Sequence, residues 1–295
     1  MSTPSLGQIL FEAARPRTLP AGLAPVVTGT AFAIVDGGFH LLACLAAALG
    51  ALAIQIGTNY ANDYFDNEKG ADTNDRIGPR RATQAGLVTP ATMRRAFIAA
   101  FAIAVVFGSY LVWRGGWPVV AIGVSAVICG VLYTGGPKPL GYLGLGDVFV
   151  LVFFGPVAVA GTHYVQTLTF SPLAAVAGLA PGLLSTAILT VNNLRDRHTD
   201  VGANKRTLAV RFGATFARVE YTVVVVLGLA TAVITGLMVN RGAWLVLACV
   251  PMAVGLVRRV WRTDGPALNP MLGATARLLL VMTAVGTVGL LQGWL

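Results

Sequence analysis

Long uncharged apolar runs, separated by short polar breaks, occupy almost the whole chain. They lie near residues 19–35, 40–63, 92–113, 117–133, 146–164, 172–193, 214–238, 243–261 and 271–293. Each approaches the about 20 residues that a helix needs to cross the hydrocarbon of a bilayer. A strand barrel would instead show short segments of alternating polarity, and these are absent. The pattern predicts an all-α, polytopic membrane bundle of nine transmembrane helices, folded as a single domain over residues 1–295. Residues 5–14 read as a short interfacial helix ended by Pro16. Glu12, Arg15 and Arg17 precede the first apolar run, so no cleavable signal peptide is expected.

Composition strengthens this picture. Hydrophobic residues make up 56% of the chain and charged ones 11%, against about 25% charged in soluble domains. A net charge of +9 would suit nucleic acid, but its distribution points to a bilayer as the partner. With a cytoplasmic N-terminus, every basic residue among the 21 except Arg114 and Arg241 falls at the cytoplasmic ends. The positive-inside rule therefore predicts N-in, C-out in a cell membrane. Cys44, Cys129 and Cys249 sit far apart in apolar runs and read as small buried hydrophobes. His40, His163 and His198 are too scattered for a zinc site.

The two sets of loops differ. On the outer side they are as short as Asp36-Gly37-Gly38 and Asn240-Arg241-Gly242. On the cytoplasmic side they are long and polar, at about 65–91, 134–146 and 194–213, and loops of that kind carry function. A rough repeat relates 40–133 to 172–261: a span ending in an Asn/Asp face, a basic loop, then two further spans. Such repeats often flank a central site in membrane proteins.

The acids are the unexpected residues. At about 100° per residue, Asn59, Asn62, Asp63 and Asp66 fall within roughly a 100° arc of one helical face. Asn192, Asp196 and Asp200 recur at i, i+4 and i+8 and also share a face. Ionisable groups at the edge of a span are costly unless something binds them. Two acidic faces on one membrane side offer hard oxygen ligands, which favour Mg²⁺ held jointly with phosphate. Arg80 and Arg81 follow the first cluster and Lys205 and Arg206 the second; either pair can grip phosphate oxygens. Lys138, in the run Tyr133-Thr134-Gly135-Gly136-Pro137-Lys138, can do the same as a point charge. From spacing alone, Tyr133 reads first as an interfacial anchor.

These residues resemble the two aspartate-rich motifs of the UbiA-type intramembrane prenyltransferases, over nearly the whole chain. The stretches that carry the resemblance are Ala14 to Ala21, Gly57 to Asp66, Arg76 to Arg81, Tyr133 to Gly146, and Asn192 to Asp200. Within that superfamily they are most similar to the menaquinone branch, whose acceptor is 1,4-dihydroxy-2-naphthoate. One departure is Gly70, at the last acidic position of the wider family pattern; the resemblance implies that Asp72 takes its place.

The resemblance implies transfer of a polyprenyl group from its diphosphate to an aromatic carbon, with loss of the acceptor's carboxylate. Asn62, Asp63, Asp66, Asp72, Asp196 and Asp200 would hold Mg²⁺, with Tyr133 and Lys138 as further catalytic groups. Arg15, Arg17, Asn59, Asn62, Arg80, Arg81, Asn192, Lys205 and Arg206 would bind substrates, the first two receiving the aromatic carboxylate. Tyr133, Tyr64 and Phe65 are candidates to face an allylic cation. Two rival readings are a prenyltransferase for another acceptor, such as 4-hydroxybenzoate, and a cation-coupled transporter. Transporters place their acids near the midplane in broken helices, whereas these acids lie at span ends beside basic loops. From the charge distribution, a reporter fused after Leu295 is expected to be active only as an exported type. Activity of a cytoplasmic reporter there would overturn the topology.

Overall fold

The computed structural model describes residues 4–70, 77–78 and 81–292, and every regular element among them is helical. Helix α1 (Leu6–Ala13) starts in a capping box, in which the Ser5 hydroxyl accepts from the Gln8 amide and the Gln8 side chain accepts from the Ser5 amide. This is the short helix expected over residues 5–14. The chain then turns through Arg15, held in the left-handed region at φ 54°, into α2 (Leu19–Val35). Next come α3 (Leu41–Glu68), α4 (Pro90–Gly115) and α5 (Trp117–Leu132). Helices α6 (Gly146–Val152) and α7 (Ala158–Thr167) are joined by a π-helical segment, Phe153–Val157. They are followed by α8 (Pro172–Ala177), α9 (Leu179–Gly202) and α10 (Leu208–Leu237). A 3₁₀ segment, Arg241–Cys249, leads into α11 (Val250–Arg262), and α12 (Asn269–Leu291) ends the fold.

The nine expected spans correspond to nine helical units among the described residues. Eight are long and apolar enough to cross a membrane, while α5, with 16 residues, is shorter. At 1.5 Å per residue α5 covers about 24 Å, less than a hydrocarbon core of about 30 Å. The chain is a multi-pass membrane protein. Both acid-bearing helices run past the ends of their apolar stretches, α3 to Glu68 and α9 to Gly202. Their last turns keep a helical backbone because their polar faces meet protein rather than lipid. Helix α10 starts before its apolar stretch and is broken at Gly213, whose φ of 83° only glycine adopts at little cost.

Helix α9 is the central post. Its apolar stretch is 78% buried, against 17% for α4, which faces outward. The larger core joins α9 to α10, α11 and α12 through Leu184, Val191, Tyr221, Leu278 and Leu279. A smaller one joins α1, α3 and α4 through Ile9, Tyr60, Met93 and Ala100. The acid-bearing helices α3 and α9 each pack most extensively on the helix that follows, α4 and α10, which gives the repeat its structural counterpart.

At the bundle end away from the acids, Arg114 donates to the carbonyls of Val165 and Gln166 at 2.6 and 2.9 Å. This exception to the charge bias thus caps the last turn of α7. His163 is buried there against Asp36, at 2.7 Å. The three cysteines are free and unpaired with one another.

The π-helical segment is pressed backbone to backbone against α9. A Cβ on Gly182 would sit 2.6 Å from the Leu151 carbonyl oxygen, and one on Gly178 2.8 Å from the backbone of Gly155. Gly155 itself has non-helical dihedrals, φ −123° and ψ −113°. No side chain fits between these elements, so Gly182→Val is expected to cost about 1–3 kcal/mol through overpacking. A lowered unfolding temperature in detergent would show it; an unchanged one would mean that the two elements separate easily.

Candidate active site

One cavity of about 700 Å³ runs through the bundle, within the range of about 300–1,000 Å³ usual for ligand sites. Its polar end receives Asn59, Asn62 and Asp66 from α3 and Asn192, Asp196 and Asp200 from α9, with Arg15, Arg81, Tyr133 and Lys205 around them. The remainder is lined by apolar side chains of α3, α4, α5, α7 and the π-helical segment.

Asp66 is 1% exposed. Arg81 donates to its Oδ2 at 2.9 Å, Lys205 to the same oxygen at 3.2 Å, and the Tyr142 hydroxyl to Oδ1 at 2.9 Å. Tyr142 is itself flanked by cations, with the ammonium groups of Lys69 and Lys205 5.0 and 4.9 Å from its ring centroid. Lys69 also donates to the carbonyls of Thr134 and Gly136 at 2.6 and 2.9 Å. Partial burial lowers the pKa of Lys69; Asp66 acts against this and Lys205 adds to it.

Across the cavity, Asp196 is met by its chain neighbour Arg195. That guanidinium is 1% exposed and donates to both carboxylate oxygens, at 2.7 and 2.6 Å. It also reaches Asn192 at 2.8 Å and Asn269 of α12 at 2.9 Å. The planar fork of arginine suits this bidentate pairing.

Tyr133 lies where glycine leaves room. A Cβ on Gly146 would be 2.7 Å from its hydroxyl oxygen, and one on Gly141 3.1 Å from its ring. Thr134 donates to Asn62 at 2.8 Å, and the Asn59 amide donates to the Ala14 carbonyl at 2.9 Å, which ties the Arg15 turn to α3.

Ten of the expected residues thus converge: Arg15, Asn59, Asn62, Asp66, Arg81, Tyr133, Asn192, Asp196, Asp200 and Lys205 all line the cavity. Four do not. Asp63 lies at the edge of the helical arc and is turned behind the site, where its two oxygens accept from the amides of Ala82 and Thr83 at 2.9 Å each. Asp63, expected as a metal ligand, anchors the Ala82–Thr83 loop in this structure and is not among the residues that line the cavity. Arg17, Lys138 and Arg206 are exposed and stand off the cavity. The cations beside Asp66 are instead Arg81 and Lys205, with Lys69 next to them across the Tyr142 ring. Asp72 and Arg80 lie outside the described residues, as do Asp75 and Arg76.

Tyr64 and Phe65 also depart from expectation. They stack with each other at 5.0 Å and against Phe97 at 5.6 and 5.9 Å, on a face of α3 turned away from Asp66. Tyr142, Phe149, Phe153 and Phe154 supply the aromatic surface of the cavity, together with Tyr133. Gln55 also lines it; its signal was legible, because it falls on the same helical stripe as Asn59, Asn62 and Asp66 inside an apolar run. Tyr142 gave no comparable signal, since only the folding of its loop brings it to Asp66.

The donor set fits Mg²⁺. Among the described residues no three acidic, His or Cys side chains form a closed metal cluster. Mg²⁺ is usually held by one or two carboxylates together with substrate phosphates and water, and Asp66 and Asp196, from two helices at the end of one cavity, offer that arrangement.

Comparison with known proteins decides the family. The profile of the UbiA prenyltransferase family matches residues 22–292. The chain belongs to this family. It is 37% identical to a 1,4-dihydroxy-2-naphthoate octaprenyltransferase of Escherichia coli, over 97% of this chain and 96% of the relative. It is 40% identical to the enzyme of the same description from Mycobacterium tuberculosis, over 91% of each. A UbiA homolog from Archaeoglobus fulgidus, solved bound to GPP and Mg²⁺, superposes with a TM-score of 0.63 over 96% of this chain and 99% of its own, at 16% identity. That likeness establishes the UbiA fold.

Asp63 and Asp66 meet different partners: the first meets two loop amides, the second Arg81, Lys205 and Tyr142. Asp66→Asn and Asp196→Asn are expected to abolish prenyl transfer while the protein stays folded. Asp63→Asn, which removes one acceptor from two buried amides, should chiefly lower thermal stability, by about 1–3 kcal/mol. Equal loss of activity in Asp63→Asn, with stability unchanged, would return Asp63 to the metal site.

Proposed function

We propose that the chain transfers a polyprenyl group from polyprenyl diphosphate to 1,4-dihydroxy-2-naphthoate, releasing diphosphate and carbon dioxide and forming a demethylmenaquinone. Residues 1–295 act as one domain, with the site on the cytoplasmic face of a cell membrane. The observation that carries this reading is the pairing of buried carboxylates with buried cations at one end of a long apolar cavity. That end suits a metal diphosphate and the rest suits an isoprenoid tail. The relatives, similar along nearly their full length, supply the acceptor.

Asp66, Asp196 and Asp200 would hold Mg²⁺, with Asn62 and Asn192 beside them; when bound, Mg²⁺ supplies charge neutralisation to the diphosphate. Arg81 and Lys205, which donate to Asp66, are placed beside the space a diphosphate would fill and can share its charge. In this way they stabilise the negative charge that grows as the allylic C–O bond breaks. Tyr142, with its ring and hydroxyl both engaged, holds Lys205 and Asp66 in register. Tyr133 and the cavity phenylalanines present aromatic faces, which favour a carbocation. The apolar walls exclude water that would otherwise capture that cation. The electron-rich ring then attacks through carbon, and loss of its carboxylate as carbon dioxide restores aromaticity. Arg15, turned into the cavity, is suited to receive that carboxylate before it leaves.

Purified protein given labelled polyprenyl diphosphate should prenylate dihydroxynaphthoate in preference to 4-hydroxybenzoate. Chelation of divalent ions should abolish turnover, and added Mg²⁺ should restore it. Preference for 4-hydroxybenzoate would overturn the acceptor assignment, and full activity in chelator would remove the metal from the reading.

A further inference from the structure

The two acid-bearing helices present the same stripe to the cavity. On α3 it is Gln55, Asn59, Asn62 and Asp66, at i, i+4, i+7 and i+11; on α9 it is Ser185, Leu189, Asn192 and Asp196, at the same intervals. Each set follows one helical face. The aspartates and the asparagines next to them form the acidic end, and Asn59 is tied to the Ala14 carbonyl. Gln55 and Ser185 are left over. They lie about 16 Å along their helices from Asp66 and Asp196, so both sit at one depth. A diphosphate held at the aspartates ends well short of that depth, and an isoprenoid tail offers nothing for a polar group to bind.

Ser185 is 3% exposed, lines the cavity, and its hydroxyl has no hydrogen-bond partner. Its neighbours on α9 are satisfied within the helix: Thr186 donates to the Gly182 carbonyl at 3.0 Å and Thr190 to the Thr186 carbonyl at 2.9 Å. That back-bond is the ordinary refuge of a hydroxyl inside a helix. Ser185 does not take it, and a buried hydroxyl without a partner is costly. Gln55 brings a side-chain amide, with two donors and a carbonyl acceptor, to the same cavity. It stands beside Gly22 of α2, where an added Cβ would lie 3.6 Å from the Gln55 Cβ. Gly22 is seven residues along the chain from Arg15, so the amide sits deeper in the bundle than the guanidinium suited to the acceptor's carboxylate.

We propose that Gln55 and Ser185 bind the acceptor's 4-hydroxyl, the one away from its carboxylate, and so select a dihydroxynaphthoate over a monohydroxynaphthoate. The proposal rests on the acceptor assignment above. With the carboxylate at Arg15, the ring extends into the cavity and its 4-hydroxyl points to the deeper polar pair. That hydroxyl can donate to the Gln55 carbonyl oxygen and accept from the Ser185 hydroxyl, which gains the partner it lacks. An analogue without it leaves both side chains unpaired in apolar surroundings. Sites built around a hydroxyl discriminate most strongly against the ligand that lacks it. The metal and diphosphate lie three helical turns away, so donor binding does not depend on the pair.

The test measures equilibrium binding of two acceptors, 1,4-dihydroxy-2-naphthoate and 1-hydroxy-2-naphthoate, to the full chain in nanodiscs. Mg²⁺ and a non-ionising thio analogue of geranyl diphosphate are present throughout. Wild-type protein should bind the dihydroxy compound about tenfold tighter, the scale of one hydrogen bond to a buried partner. Gln55→Leu, which keeps the bulk of the side chain, and Ser185→Ala should each reduce that ratio. Both should leave the affinities for the monohydroxy compound and for the donor analogue unchanged. A purely structural role would instead weaken both acceptors alike. A ratio unchanged in one variant removes that residue from the site. Ratios unchanged in both, equal loss of both acceptors, or a wild type that binds the two alike would overturn the inference while the acceptor assignment stands. A wild type that binds neither naphthoate but does bind 4-hydroxybenzoate would overturn the acceptor assignment itself, and this inference with it.

Discussion

The polar end of this protein is organised about one buried carboxylate. Asp66 ends a long apolar helix, is almost wholly removed from solvent, and receives donors from three other parts of the chain: Arg81, Tyr142 and Lys205. A buried carboxylate without partners costs several kcal/mol even after the protein relaxes. The three loops that bring those partners are therefore drawn to one point. Asp63, one residue along from Asn62, anchors the Arg81 loop from behind by accepting two of its amides.

The same arrangement suits exchange. Cations that neutralise a carboxylate can turn to a phosphate when a metal takes over the carboxylate, and the charge of the site then stays nearly balanced in both states. Arg195 is a different kind of cation. It is buried, bidentate on Asp196 and bonded to Asn192 and Asn269, so it ties α9 to α12 and fixes the carboxylate's orientation. One acidic face is thus held by side chains on separate loops and the other by a neighbour on its own helix.

The rest of the bundle keeps two conflicting requirements apart. Helix α9 has to be packed closely enough to hold its acids still, which the glycine contacts with the π-helical segment allow. The region between α3, α4, α5 and α7 has to stay open for an apolar ligand, and there the lining includes residues with little or no side chain. Dense packing on one side and open space on the other give the cavity its shape, with charge confined to one end.

Much of this was legible in the sequence. The apolar runs specify helices because a bilayer leaves backbone groups no partner but each other, and the spacing of Asn59, Asn62 and Asp66 puts them on one face whatever surrounds the helix. The short helix α1, the nine helical units among the described residues and ten of the residues that line the cavity followed from such local regularities or from resemblance to the family. Other features depended on the tertiary structure. Asp63 and Asp66 belong to the same motif, and only the position of the Ala82–Thr83 backbone decides which faces the cavity. Lys138, Arg206 and Arg17 have the right charge, but the path of their loops leaves them at the surface, while Lys69, at the end of α3, and Tyr142, within the Tyr133–Gly146 stretch, had no feature of their own that marked them as partners of Asp66. Periodicity determines the direction of a side chain relative to its own helix. What that side chain meets depends on how distant segments fold around it, and for the charges about Asp66 those segments are loops, which have no period to read.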